Sequence, residues 1–201
     1  MLETMINQRS ATRAEVSDVA NAIYDKCDAI MLSGETAVGI DPVNVVRVMK
    51  NISYASDNHL NQLKQSSPYQ APSFESSSVP ISISVAADRV AEENNARAIM
   101  VFTSSGRTSL ITSKLHPVIP IIAATDDEVV CRQMALYRGV KPLLMNKSFE
   151  DIMRWRDMIS IAIECAKEKG LLKSGDVLVI TAGIPIGIPN GTNSIRILTV
   201  L

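Results

Sequence analysis

The stretch "RAIMVFTSSGRTSLITSKLHPVIPIIAAT", residues 97–125, decides the fold. "RAIMVFT" holds an unbroken apolar run of strand length between its polar ends, and "VIPIIAAT" holds a second. Continuous rather than alternating apolar character suits strands buried on both faces. Between them "GRTSLITSKLHP" has helical spacing and ends at a proline. A strand, a crossover helix and a second strand make a parallel βαβ unit.

Working outward, the same alternation continues on both sides. "ISISVAADRVAEENNA" reads as a helix before the first strand, "DDEVVCRQMALYRG" as a helix after the second, and "VKPLLM" as a further strand. "SFEDIMRWRDMISIAIECAKEKGLL" gives one or two helices, with "DVLVITAG" and "SIRILTVL" closing the chain as strands. The expected architecture is α/β, a mainly parallel sheet covered by helices on both faces, with ligand sites at the carboxyl ends of strands.

Upstream of residue 64 the pattern differs. "AEVSDVANAIYDKC" has helical spacing, Ala29 to Leu32 is a short apolar run read as a buried strand, and "DPVNVVRVMKNISYASDNHL" reads as a helix capped by Asp41 with Pro42 in its first turn. "KQSSPYQAPSFESSSVP", residues 64–80, loses all periodicity to serine and proline. The expected organisation is one domain over residues 1–60, a linker over 61–79 and a second domain over 80–201.

The bulk properties narrow the function. The chain has 201 residues, 46% hydrophobic and 20% charged, with a mean hydropathy of +0.13, the make-up of a globular protein. A net charge of −1 argues against nucleic acid or an acidic membrane as partner, since both need a basic surface. Any anion site must therefore be local. Cys27, Cys131 and Cys165 lie far apart, so three reduced thiols in a cytoplasmic protein are expected. Two histidines, His59 and His116, are too few and too separated for zinc, and no metal site is expected. No apolar run is long enough for a membrane helix and no signal peptide opens the chain. "MLETMINQRS" reads as a continuation, so that Met1 is as easily an internal methionine as a start.

Three stretches are candidates for chemistry. In "TSSGRT", Thr103, Ser104, Ser105, Gly106, Arg107 and Thr108 follow a strand and open a helix. Hydroxyls, orphan amides at the helix start and a guanidinium together form a phosphate cradle. The alternative is an ordinary serine-rich helix cap with Arg107 in solvent. No GxxxxGK[ST] or GxGxxG occurs, which removes the usual nucleotide loops. In "MLSGETAVGIDP", Ser33 and Glu35 stand at a strand end, or in a plain strand-to-helix turn. "TAGIPIGIPNGTNS", residues 181–194, is a glycine- and proline-rich connection of a length common in binding loops. Trp155, between two arginines, either stacks on a ligand or packs in the core.

"TRAEVSDVANAI" at 12–23 and "DAIMLSGETAVGIDPVNVV" at 28–46 resemble the last part of the pyruvate kinase barrel. The serine-rich stretch and the α/β region after it are similar to that family's passage into its C-terminal domain. The resemblance implies final β/α units of a TIM-type barrel over residues 1–60 and, over 80–201, an effector-binding α/β domain with a terminal antiparallel strand pair. It implies the glycolytic transfer of a phosphoryl group from phosphoenolpyruvate to ADP by the full-length enzyme, with Mg2+ and K+. The catalytic lysine, the metal ligands and the nucleotide-binding arginine of the family lie upstream of the matched part, so the segment is expected to bind no metal and to be inactive alone.

By the same resemblance Ser33 and Glu35 lie on the active-site rim, and Arg13 and Glu15 at a subunit interface of a homotetramer. Residues 103–108 hold the phosphate of a small phosphorylated effector, and Gly187, Asn190 and Gly191 belong to a second effector loop. That loop lacks the tryptophan and arginine of the animal pattern, which leaves fructose bisphosphate, another sugar phosphate and AMP open as effectors. A free-standing, non-catalytic sensor of phosphorylated metabolites is the alternative function.

Overall fold

The computed structural model describes residues 1–65, 78–149, 154–185 and 191–201. The chain divides into two compact units, Met1–Tyr69 and Gln70–Leu201.

The first unit contains a 3-10 turn at Glu3–Ile6 and helices α1 (Arg13–Tyr24), α2 (Gly34–Ala37) and α3 (Pro42–Gln65). Its core is Leu2, Met5, Val19, Val45 and Met49. Asp41 caps α3 as expected, its Oδ1 accepting from the Asn44 amide at 3.1 Å. The helix then runs to Gln65, into the stretch read as linker. The strand expected at Ala29–Leu32 is absent: no residue from 29 to 32 is in a β-ladder. The described residues of this unit contain no other strand, and a strand exists only through a neighbour that takes up its amides and carbonyls. Ile30 and Leu32 still pack against the core, whereas Met31 is 75% exposed.

Glu15 ties the start of α1 to the 3-10 turn. The Thr12 hydroxyl accepts from the Glu15 amide, and the Glu15 carboxylate accepts from the Thr12 amide at 2.8 Å, a reciprocal capping box. The same carboxylate accepts from the Thr4 amide at 2.7 Å and from the Thr4 hydroxyl. Burial pushes its pKa up, but the bonds from Thr4 and Thr12 outweigh this and hold it near about 2. A depressed folded-state pKa gives stability that is complete above the unfolded value and is lost as pH falls through the folded one. The carboxylate is buried but its partner Thr12 is exposed, so after discounting for screening the contribution is about 1–2 kcal/mol. Urea unfolding of the first unit should therefore show this loss between pH 5 and pH 2, roughly the window of the two pKa values. In Glu15→Gln the neutral-pH stability should already be lower and the acid-dependent loss smaller by that amount.

The second unit realises the alternation read from the sequence. Its order is α4 (Val79–Glu93), β1 (Ala98–Phe102), α5 (Arg107–Lys114), β2 (Ile121–Thr125), α6 (Glu128–Met134), β3 (Val140–Leu144), α7 (Trp155–Glu168), β4 (Val177–Gly183) and β5 (Thr192–Thr199). The sheet order is β3-β2-β1-β4-β5. β1 pairs in parallel with β2 (Ile99 opposite Ile121) and with β4 (Ile99 opposite Val179), and β2 pairs in parallel with β3. β5 is antiparallel to β4, with Val179 opposite Ile197.

Every residue of β1 and β2 is buried, as their unbroken apolar runs require. Ala98, Met100 and Phe102 point to one face, into a core completed by Met158, Ile159 and Ala162 of α7. Ile99 and Val101 point to the other, against Ala87 and Ala91 of α4. β3 is an edge strand and carries Lys141 and Pro142, residues that discourage further pairing.

From β1 the chain moves outward through β2 to β3, then returns across the sheet to place β4 on the other side of β1. This reversal leaves a crevice beyond the carboxyl ends of β1 and β4, where open α/β sheets place their ligands.

Candidate functional site

A cleft of about 720 Å³ occupies that crevice. Thr103, Ser104, Ser105, Arg107 and Thr108 form one wall, and Ala182, Gly183, Gly191 and Thr192 another. Pro80 and Ile81 at the start of α4, with Phe149 and Met158, supply apolar surface. The sequence had pointed to both walls, through "TSSGRT" and through the connection 181–194, but not to the apolar surface from α4, Phe149 and Met158.

The turn from β1 into α5 is built around Gly106. It adopts φ +76 at the helix cap, and a Cβ there would stand 3.3 Å from Met134 Cγ. Only a residue without a side chain takes this conformation at no steric cost. The Gly106 amide donates to Thr103 Oγ1 at 2.9 Å, and the Gly106 carbonyl accepts the first helical bond, from Leu110, at 3.0 Å. Ser109 Oγ donates back to the same carbonyl at 2.8 Å. Arg107, Thr108 and Ser109 occupy the first turn of α5, where no preceding carbonyl lies in helical register.

The six residues singled out in "TSSGRT" therefore divide by role. Ser104, Ser105 and Arg107 are exposed, whereas Thr103, Gly106 and Thr108 are buried. Thr103 supports the turn, and Thr108 Oγ1 lies 2.7 Å from Thr192 Oγ1. The exposed three present two hydroxyls and a guanidinium to the cleft beside the positive end of a helix dipole. Lys114 also reaches the cleft.

Of the second loop, Gly187 and Asn190 lie outside the described residues, and Gly191 lines the cleft. The ends of this connection are drawn together by Asn193: its Oδ1 accepts from the Ile184 amide at 3.0 Å and its Nδ2 donates to the Ile184 carbonyl at 2.7 Å. Nothing in the sequence distinguished Asn193 from other polar loop residues. Trp155 packs rather than facing the cleft, edge-on to Phe102 with ring centres 5.2 Å apart.

In the first unit the Glu35 carboxylate is occupied locally. Its Oε1 accepts from the Leu2 amide at 3.4 Å and its Oε2 from the Ser33 amide at 2.8 Å. Its own amide and the Ser33 amide hold its pKa below the usual carboxylate range, against the opposing effect of burial. Arg13 opens α1 and is exposed, while Glu15 is buried in the capping box.

Residues 82–198 match the model of the pyruvate kinase alpha/beta domain. The chain belongs to the pyruvate kinase family. Residues 1–46 match the pyruvate kinase barrel domain, so the two matches fall in the order of the two units. Among curated relatives, pyruvate kinase 2 of Synechocystis sp. is 41% identical over 197 residues, covering 98% of this chain. The pyruvate kinases of Geobacillus stearothermophilus and Clostridium acetobutylicum are 39% and 35% identical over 197 residues, again 98% of this chain. The chain spans 32% of the length of the first two and 40% of the third. It thus corresponds to a C-terminal segment of a pyruvate kinase, the end of the barrel with the α/β domain.

Among the described residues no group of three or more His, Cys, Asp or Glu side chains is placed to hold a metal ion. No described helix is long and apolar enough to cross a membrane.

Proposed function

We propose that this segment is the regulatory part of a cytoplasmic pyruvate kinase. The whole enzyme transfers a phosphoryl group from phosphoenolpyruvate to ADP with Mg2+ and K+ bound by residues other than those described here, and works as a homotetramer. Positioning and electrostatic stabilisation dominate such a transfer, so the barrel residues that supply them set the rate. The segment's own task is to bind a phosphorylated effector in the cleft beyond β1 and β4. Ser33 and Glu35 stand at the rim of the active site, and Arg13 and Glu15 belong to a subunit contact.

The observation that supports this reading best is the joint exposure of Ser104, Ser105 and Arg107 around the first turn of α5. Hydrogen bonds to a charged group contribute roughly 1.5–3 kcal/mol each. Three or four of them, less the cost of ordering the loop, correspond to a dissociation constant of about micromolar to millimolar. Regulation of an enzyme needs a coupling of only ~1–3 kcal/mol between sites, which one phosphate held here can supply.

Thermal shift and calorimetric titration with fructose 1,6-bisphosphate, ribose 5-phosphate and AMP test the reading. At least one should stabilise the wild-type chain. Arg107→Ala should weaken that ligand about 10- to 100-fold, the loss of a bidentate charged contact. An affinity unchanged by Arg107→Ala would remove the guanidinium from the site, and no binding of any phosphate ester would end the proposal.

A further inference from the structure

Four buried hydroxyls run beneath the cleft. Thr192 Oγ1 and Thr108 Oγ1 are 2.7 Å apart. Thr112 Oγ1 donates to the Thr108 carbonyl at 2.9 Å and lies 3.3 Å from Ser84 Oγ. Ser84 Oγ in turn donates to the Pro80 carbonyl at 2.9 Å. All four side chains are buried, Thr192 to 4% exposure and Thr108 to 7%. The series joins the start of β5, the first turn of α5 and the first turn of α4, and Thr192, Thr108 and Pro80 from those three places all line the cleft. A buried polar network whose members are paired fixes the elements it joins.

Counting protons separates one link from the rest. Each hydroxyl carries one proton and two acceptor sites. The Thr112 proton goes to the Thr108 carbonyl, by the shorter of its two contacts, and the Ser84 proton to the Pro80 carbonyl. The Thr108–Thr192 pair holds two protons, and the bond between them uses one. Whichever oxygen accepts keeps its own O–H for a second acceptor, at the wall of a cleft that both residues line.

We infer that Thr192 is a ligand-positioning residue of the anion site. Its hydroxyl anchors the first turn of α5 to β5, and the Thr108–Thr192 pair turns its second proton to a phosphate oxygen in the cleft. The inference rests on the phosphate reading of the cleft. It adds a donor from the far wall, so that the anion is gripped by α5 and β5 together rather than by the "TSSGRT" turn alone. Thr192 also directly follows Gly191 at the cleft, so the same hydroxyl ties the second loop's exit to the first loop.

The test is titration of the full chain with inorganic phosphate and with fructose 1,6-bisphosphate. Thr192→Val keeps the side-chain shape and removes the hydroxyl. It should weaken the binding of both probes about 10-fold, as expected for a lost bond to a charged group. Thr192→Ser should restore affinity to within about 2-fold of wild type, which a purely space-filling role would not produce. Thr108→Val and Thr192→Val together should weaken binding less than the product of the two single effects, because they share one bond. Backbone amide shifts of 15N-labelled wild-type protein give a readout that needs no variant: phosphate should move the Thr192 signal as well as those of Ser104, Ser105 and Arg107. Wild-type binding that Arg107→Ala weakens and Thr192→Val does not, or an unmoved Thr192 signal, overturns the inference and leaves the phosphate reading intact. A wild-type chain that binds neither probe overturns both.

Discussion

Phe102→Ala is expected to destabilise the second unit by about 3–5 kcal/mol, the range for deleting a buried aromatic ring from a packed core. Phe102 ends β1 and is 6% exposed. Its ring meets the edge of Trp155 at 5.2 Å and that of Phe149 at 6.2 Å between centres, contacts that add to its area burial. Alanine would forfeit both and leave a void between the sheet and α7, which close-packed neighbours fill only in part. For a unit of this size the melting temperature should fall by roughly 10–20 °C. Trp155 is the single tryptophan of the chain, so its fluorescence reports the local change directly and should shift to the red in the folded variant. Phe102→Leu keeps most of the volume and should cost less than half as much. A loss under about 1 kcal/mol for the alanine variant would mean that the aromatic trio is not part of the core. Phe102 also lines the cleft, so the fold's stability and the shape of the ligand site share this residue.

The second unit was legible because its central strands are buried on both faces. Parallel central strands read as unbroken apolar runs, and "AIMVF" and "IIAAT" have no charged position, and no polar one before the terminal Thr125, at which a helix or an amphipathic strand could be imagined. Their order in the chain then fixes the crossover helices and the crevice beyond β1. Residues 29–32 failed by the same rule. An apolar run states that a segment is to be buried, not what pairs with it, and the described residues of the first unit provide no neighbouring strand. The site was half legible for a related reason. Ser104, Ser105 and Arg107 follow a strand directly, so local sequence places them at its end. Thr192 meets Thr108 across 84 positions, and Asn193 brackets a loop from its far side. Contacts of that separation are set by β4–β5 pairing and leave no periodic trace. The buried hydroxyls of Ser84 and Thr112 were invisible too, because serine and threonine on a helix ordinarily face solvent or bond to their own carbonyls.

Gly106→Val should be the most damaging single change in the turn itself, at roughly 2–5 kcal/mol from two separable sources. The first is conformational: φ is +76 at this residue, a region that costs an L-residue about 1–2 kcal/mol and that β-branched residues avoid still more strongly. The second is steric. A Cβ would lie 3.3 Å from Met134 Cγ, 3.4 Å from Val130 Cγ1 and 3.6 Å from the Tyr137 hydroxyl, and two further methyls would press α6 outward, an overpacking that costs typically 1–3 kcal/mol. Because the Gly106 carbonyl accepts the first bond of α5, displacing it also turns the amides of Arg107 and Thr108 away from the cleft. Phosphate-ester affinity should then fall by at least 10-fold even where the variant remains folded. Gly106→Ala and Gly106→Asn separate the two sources, since both add a Cβ but asparagine tolerates a positive φ better. If Gly106→Asn is clearly the more stable of the pair under urea denaturation, backbone conformation dominates. If the two are equally destabilised, the contact with Met134 and Val130 dominates. Wild-type stability and affinity in all three variants would mean that the turn does not hold this geometry in solution.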